Sequence, residues 1–337
     1  MRKFIFALAI LFVVIFFLGR TADLNAAFET LKDGDLRFIT LAFGVLLVWL
    51  FNVAGSYWAI YRSLGINEKI ERMLMISSSA SFVNVIAPTA GMGSFAVLIS
   101  EARRKGYSSA HATVAGGMFA LFEYVGFLCI LTLGLIVLFR RGNLNTAELT
   151  ASGILALVAL FLGLLILLGA RSAESLGRFL AWMARLVNRI LDPFIHREYL
   201  SVDRAHEFAC EAADGLQLVR RQPKKLLLPA FLALSSKAIL IFILLLIFLA
   251  FNVPYTIGTL VAGFSIGYLF FIVSPTPAGI GIVEGALVLS LRSLNVPIGT
   301  ATVVALAYRG ITFWFPLMFG MLAFRWLTRG DTAKVTA

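Results

Sequence analysis

Long apolar runs alternate with polar breaks along this chain. The runs fall at roughly 4–19, 38–60, 73–100, 109–139, 150–170, 226–252, 256–291 and 298–324. A run of about 18 or more apolar residues reads as a bilayer span, so the pattern predicts an all-α polytopic membrane protein. Two runs are interrupted: 73–100 by Pro88, Gly91 and Gly93, and 256–291 by Pro275, Thr276, Gly279 and Gly281. Loop charge gives the orientation, because cytoplasmic loops carry an excess of Lys and Arg. The N-terminus, the 61–72 and 101–108 loops, the 171–225 segment and the tail are basic and read as cytoplasmic. The 20–37 loop offsets its basic residues with Asp23, Glu29, Asp33 and Asp35. Both flanks of 73–100 then lie on one side, so this run enters and returns, and 256–291 does so from the other side. The expectation is six full spans plus two re-entrant hairpins. A reading in which each hairpin arm crosses as a tilted span stays open.

The interruptions belong to a longer repeat. Residues 84–126 and 272–315 share one order of features. Each has a Pro-Thr pair, a Gly-x-Gly, an apolar run, the tetrad ATVA or ATVV, and a closing apolar segment that carries Glu123 or Arg309. The predicted plan is a single membrane domain over 1–337, with a first repeat at 38–139, a cytoplasmic linker at 171–225 and a second, inverted repeat at 226–324. Gly/Pro-interrupted segments in matching halves point to a transporter-like site between repeats. Irregular backbone at membrane depth must be buried in protein or line a wet cavity. A half-helix that starts on glycine-rich backbone has free N–H groups and attracts an anion such as phosphate. The same glycines would also serve close helix packing.

Composition narrows the class. Hydrophobic residues make up 60% and charged residues 14%, against about half and a quarter in soluble chains. The net charge of +11 sits largely in loops, which suits anionic lipid rather than nucleic acid. In the linker, Leu176, Phe179, Leu180, Met183, Leu186, Val187 and Ile190 share a helical face, with Arg178, Arg185 and Arg189 away from it. That predicts a basic amphipathic helix on anionic inner-leaflet lipid over 171–190. A second helix is expected from about Ser201 to Val219. His206 and Cys210 share a face there, without a second pair to complete a metal site. There is no P-loop and no evident nucleophile–base pair. No catalytic residue, metal or cofactor is assigned, and the chain is not read as an enzyme.

Charges inside apolar runs are the candidate chemistry. Of 29 basic and 18 acidic residues, Glu123, Glu284 and Arg309 lie well inside such runs. Lys237 and Arg292 read as near enough to run ends to snorkel. A charge at bilayer depth costs about 2.5–3.5 kcal/mol on insertion scales, so it faces a partner or a pathway. Repeat geometry predicts that Glu123 and Arg309 meet at the midplane. In one reading Arg309 holds an anionic lipid headgroup, while Glu123 or Glu284 takes up a proton or pairs with Arg309 when the site is empty. In the other, an ion pair only holds helices together. Asn84 is a further polar candidate for the cavity wall.

The stretch PTPAGIGIVEGALVLSLRSLNVP, followed by ALAYRGITFWFP, resembles the lysylphosphatidylglycerol synthase transmembrane region family, also called the flippase-like domain family. The resemblance falls on Pro275, Thr276, Pro277, Gly279, Gly281, Glu284, Tyr308 and Arg309, with Ala278 in place of a glycine. Asn84, Pro88, Gly91 and Gly93 are similar to the family's earlier motif. The acidic-Arg pair common in its next span is Glu123-Tyr124 here. The resemblance implies a bacterial-type, multi-pass inner-membrane protein that moves a phospholipid or lipid-linked glycan between leaflets. Some relatives add a soluble aminoacyl-transferase domain. This chain ends at Ala337, so it is not expected to make aminoacylated lipid itself. The rival expectations are a membrane-embedded lipid-modifying enzyme, with Glu123 or Glu284 as base, and a non-catalytic partner of a lipid-synthesising enzyme that docks through 171–225.

Overall fold

A computed structural model describes residues 34–86, 92–191, 201–274, 276 and 279–335. The expected first span at 4–19 lies outside the described residues. Those described are helical, with no strand. In lipid a helix satisfies its own backbone, which is why apolar sequence of this length folds this way. Five helical stretches are long and apolar enough to cross a bilayer: Leu36–Ser63, Ser109–Arg140, Thr146–Arg171, Pro223–Ala250 and Ile298–Thr328. They coincide with five of the six expected spans. We label Leu36–Ser63 α1, Ile70–Ile86 α2, Met92–Arg104 α3, Ser109–Arg140 α4 and Thr146–Arg171 α5. The linker forms α6, Ala173–Leu191, and α7, Val202–Arg221. Then come α8, Leu227–Ala250, α9, Ile257–Val273, α10, Ile282–Ser293, and α11, Ile298–Arg309. A π-helical segment, Gly310–Trp314, joins α11 to α12, Phe315–Val335.

Caps fix where the spans begin. Asp35 accepts the Arg37 N–H at the start of α1, Ser108 caps α4, and Asn145 with Glu148 caps α5 from both sides. Thr256 accepts the Thr259 N–H at the start of α9. Each cap occupies backbone donors that would otherwise be orphaned at a helix start.

The interrupted runs form two helical hairpins, α2–α3 and α9–α10. The first arm of each has 17 residues, a rise of about 25 Å, short of the ~30 Å hydrocarbon core. The second arms have 13 and 12 residues and are shorter still. The hairpins open at opposite ends of the bundle. At one end the Tyr107 hydroxyl donates to the Asn67 carbonyl, Arg104 donates to the Leu327 carbonyl, and Ser108 bonds Glu211 of the linker. At the other end the Asp35 N–H donates to the Ala250 carbonyl and Asn143 to the Ser293 carbonyl, and Arg141 donates to Thr256. The loops expected on one side of the membrane from their charge are therefore gathered at one end, hereafter the basic end.

Helix neighbours in the first half recur in the second. α2 packs on α3 and α3 on α4, and likewise α9 on α10 and α10 on α11. Across the halves α1 packs on α8, α2 on α12 and α4 on α9. Glycine permits the last two approaches. A Cβ on Gly320 of α12 would stand 2.5 Å from the Ser78 carbonyl oxygen of α2, and one on Gly134 of α4 would run into the Ser265 side chain of α9.

Two expectations need correction. α4 and α11 do not meet as principal neighbours: α4 packs mainly on α9, α10's partner in the hairpin, while α8 lies against both α4 and α11. The apolar face of α6 is also not left wholly to lipid. Leu176 is buried and Leu180 partly so, against Ala209 and Ala212 of α7, because the small residues of α7 offer a closer apolar surface. Trp182, Met183 and Leu186 on α6 remain exposed.

Candidate functional site

The second hairpin break places its residues through backbone conformation. Gly279 and Gly281 have φ of +69° and +84°, a region that favours glycine. They turn the chain into the first turn of α10. The Thr276 hydroxyl donates to the Ile280 carbonyl at 3.2 Å and also bonds Ser274, closing the loop on itself. Glu284 stands one turn into α10 and is 4% exposed. Its Oε2 accepts the Gly281 N–H at 2.7 Å, and its Oε1 accepts Arg309 Nε at 2.9 Å. A carboxylate of the chain itself thus sits at the helix N-terminus where an anion was expected, and favourably so, since that end carries partial positive charge.

Arg309 is the last residue of α11 and is 6% exposed. Its guanidinium lies 4.3 Å from the Phe313 ring centre and 5.9 Å from that of Phe271. Phe313 belongs to the π segment that begins at Gly310. Such widened turns occur often at functional sites, and here the widening follows directly on the arginine. Tyr308 is buried beside it. The structure therefore brings together Thr276, Gly279, Gly281, Glu284, Tyr308 and Arg309.

Glu123 is elsewhere. It pairs with Lys237 of α8, which is fully buried and also donates to the Tyr268 hydroxyl of α9 at 2.7 Å. The ammonium also lies 4.2 Å from the Tyr268 ring centre. Two sequence expectations are overturned by this cluster. Glu123 does not pair with Arg309, and Lys237 does not snorkel. Ten residues of α8 precede Lys237, a rise of about 15 Å, farther than a lysine side chain reaches. Lys237 and Tyr268 were missed as a pair; the depth of the lysine in its span was the available signal.

The first hairpin is less complete. Pro88, Gly91 and Pro275 lie outside the described residues, so their placement is not part of the site geometry. Gly93 is buried at the start of α3, and a Cβ there would press on Val83 and Asn84 backbone at 3.0–3.2 Å. Asn84 is exposed in the last turn of α2. At the basic end of this half, Glu101 bonds Arg72 at 2.9 Å and Arg104 at 2.6 Å.

The model of the family described as the lysylphosphatidylglycerol synthase TM region matches residues 4–320. The chain belongs to that family. A relative in Methanothermobacter thermautotrophicus, described as "UPF0104 membrane protein", is 22% identical over 304 residues, covering 88% of this chain and 87% of its own. The match spans both hairpins and the whole Glu284–Arg309 cluster, so these features lie within the family's membrane region.

Proposed function

We propose that this lysylphosphatidylglycerol synthase TM region protein is a transporter that moves a phospholipid, or a lipid-linked headgroup, between leaflets of the cell membrane. The observation that carries the reading is the Arg309–Glu284 pair at the broken α9–α10 hairpin. A guanidinium buried in an apolar span is costly. Here Glu284 and two aromatic faces meet it, and a phosphate can compete with the carboxylate. A phosphate binds guanidinium with paired, charge-assisted hydrogen bonds. It would take Arg309 from Glu284, which keeps its bond to the Gly281 N–H. The two hairpins, opening at opposite ends, then act as inverted halves that expose the site alternately. The basic end is cytoplasmic in this reading, with both termini on that side, and the Arg-bearing α6 rests on anionic inner-leaflet lipid.

Glu123 has a different part in this account. With Lys237 and Tyr268 it ties α4 to α8 and α9, rather than contacting substrate. The test is leaflet accessibility of fluorescent phospholipids in proteoliposomes, with wild type against Arg309→Ala and Glu284→Gln. Loss of movement in both variants, with normal abundance, is expected. Wild-type movement in both would refute the site. A folded wild type that moves no lipid class would instead favour a lipid-modifying enzyme or a non-catalytic partner of a lipid synthase.

A further inference from the structure

A second polar feature lies at the basic end, where α2 meets α12. It is a groove of about 950 Å³. One wall is charged: Lys69, Glu71 and Arg72 on and before the first turn of α2, with Glu68 and Lys105 from the adjoining loops. The other wall is apolar and comes from α12: Phe319, Leu322 and Trp326, with Met75 of α2 at the floor. Leu322 and Trp326 are 58% and 60% exposed. Exposed apolar side chains are ordinary on a membrane protein. Their meeting with five ionic groups along one groove is not.

The ionic groups are only partly spent on one another. Arg72 donates to Glu101 at 2.9 Å, and its Nε lies 3.9 Å from Glu68. Lys105 and Glu68 stand 3.8 Å apart, an ion pair too long to be a hydrogen bond. Neither Lys69 nor Glu71 makes an ion pair with another described residue. Both are exposed at the groove. The wall thus offers cationic donors at Lys69 and Lys105, and a carboxylate acceptor at Glu71.

We propose that this groove holds a glycerophospholipid whose headgroup carries both a phosphate and an amine. The phosphate lies against Lys69 and Lys105; the amine lies against Glu71. One acyl chain runs along Phe319, Leu322 and Trp326. A purely anionic lipid would meet Glu68 and Glu71 unfavourably, and a lipid without phosphate would leave the cations unused. A role for the groove as the place where lipid is taken up rests on the transport reading above. Lipid binding there does not, and the experiment measures binding.

The full chain in detergent micelles is titrated with phosphatidylethanolamine, phosphatidylglycerol or diacylglycerol, and bound lipid is counted by native mass spectrometry. Phosphatidylethanolamine is expected to be retained best. Loss of charge-assisted phosphate contacts in a Lys69→Ala/Lys105→Ala variant should weaken its binding by about tenfold. Both lysines are exposed, so the fold is not at stake. Lys224→Ala/Lys225→Ala, on the turn before α8, should leave binding unchanged. Phosphatidylethanolamine with brominated chains should quench wild-type tryptophan emission more than that of Trp326→Phe, and the excess should vanish in the Lys69/Lys105 variant. Equal binding by both lysine pairs, or retention of diacylglycerol at the same level, would overturn the site. Equal retention of phosphatidylglycerol would overturn the assignment of the amine to Glu71. A transport assay that fails while these results hold would count against the transport reading alone.

Discussion

Lys237 offers the sharpest test of how the halves are joined. Replacing it with Met removes an ammonium that is fully buried and bonded to both Glu123 and Tyr268. The apolar side chain fills similar space, so packing is largely kept. What changes is that Glu123, only 15% exposed in its side chain, is left charged without its partner. Removing one member of a buried pair costs about 3–5 kcal/mol. Glu123→Gln should cost a comparable amount, because the ammonium then faces a neutral amide. The double variant removes both charges together. It should be more stable than the sum of the single losses predicts, with a coupling of at least about 1.5 kcal/mol, the lower bound for a hydrogen bond to a charged group. The assay is equilibrium unfolding in micelles, followed by helical circular dichroism. Single variants as stable as wild type, or a double variant whose loss equals the sum, would show that the cluster does not tie α4 to α8.

Other substitutions separate the two ion pairs. Glu284→Gln should cost about 1–3 kcal/mol in unfolding, less than Glu123→Gln because Arg309 keeps the Phe313 face, and it should abolish lipid movement. Gly281→Ala places a Cβ at a φ of +84°; it should cost about 1–2 kcal/mol in unfolding and lower transport through the displaced Glu284. Gly320→Val should destabilise by about 1–3 kcal/mol, because α12 cannot approach the Ser78 carbonyl with a larger side chain; unchanged unfolding would refute the seam. In a background free of Cys129 and Cys210, a cysteine at Lys105 should label from the cytoplasmic side and one at Asn143 from the other. Labelling of both from one side would refute the orientation.

Much of this fold was legible because the bilayer acts as a uniform solvent. Apolar length alone located the five described spans to within a few residues of their ends. The hairpins could be read from Pro, Gly and loop charge together, since neither signal alone places both flanks on one side. Within the site, the nearness of Glu284 to Arg309 follows from a short connection between α10 and α11. The Glu123–Lys237 contact joins residues 114 apart in sequence, and no local pattern carries such a pairing. The π segment was equally hidden, because GITFW continues an ordinary helical run of apolar residues. The partial burial of α6 against α7 depended on the small side chains of a helix whose position the sequence did not reveal.

The two glycine-lined seams differ in how they are fastened. Between α4 and α9 the Ser265 hydroxyl reaches the Ile130 carbonyl, and Tyr268 joins the lysine cluster. Between α2 and α12, Ser77, Ser79 and Ser81 turn their hydroxyls back to carbonyls of α2 itself. Among the described residues no side-chain hydrogen bond crosses that second seam. One joint is riveted and the other is a sliding fit. Among the described residues, shear along α2 and α12 would break no side-chain hydrogen bond between those two helices, whereas the same movement along α4 and α9 would break several. Opening of the molecule should therefore be lopsided, starting at the loose seam, and the mouth of that seam is the charged groove beside Trp326.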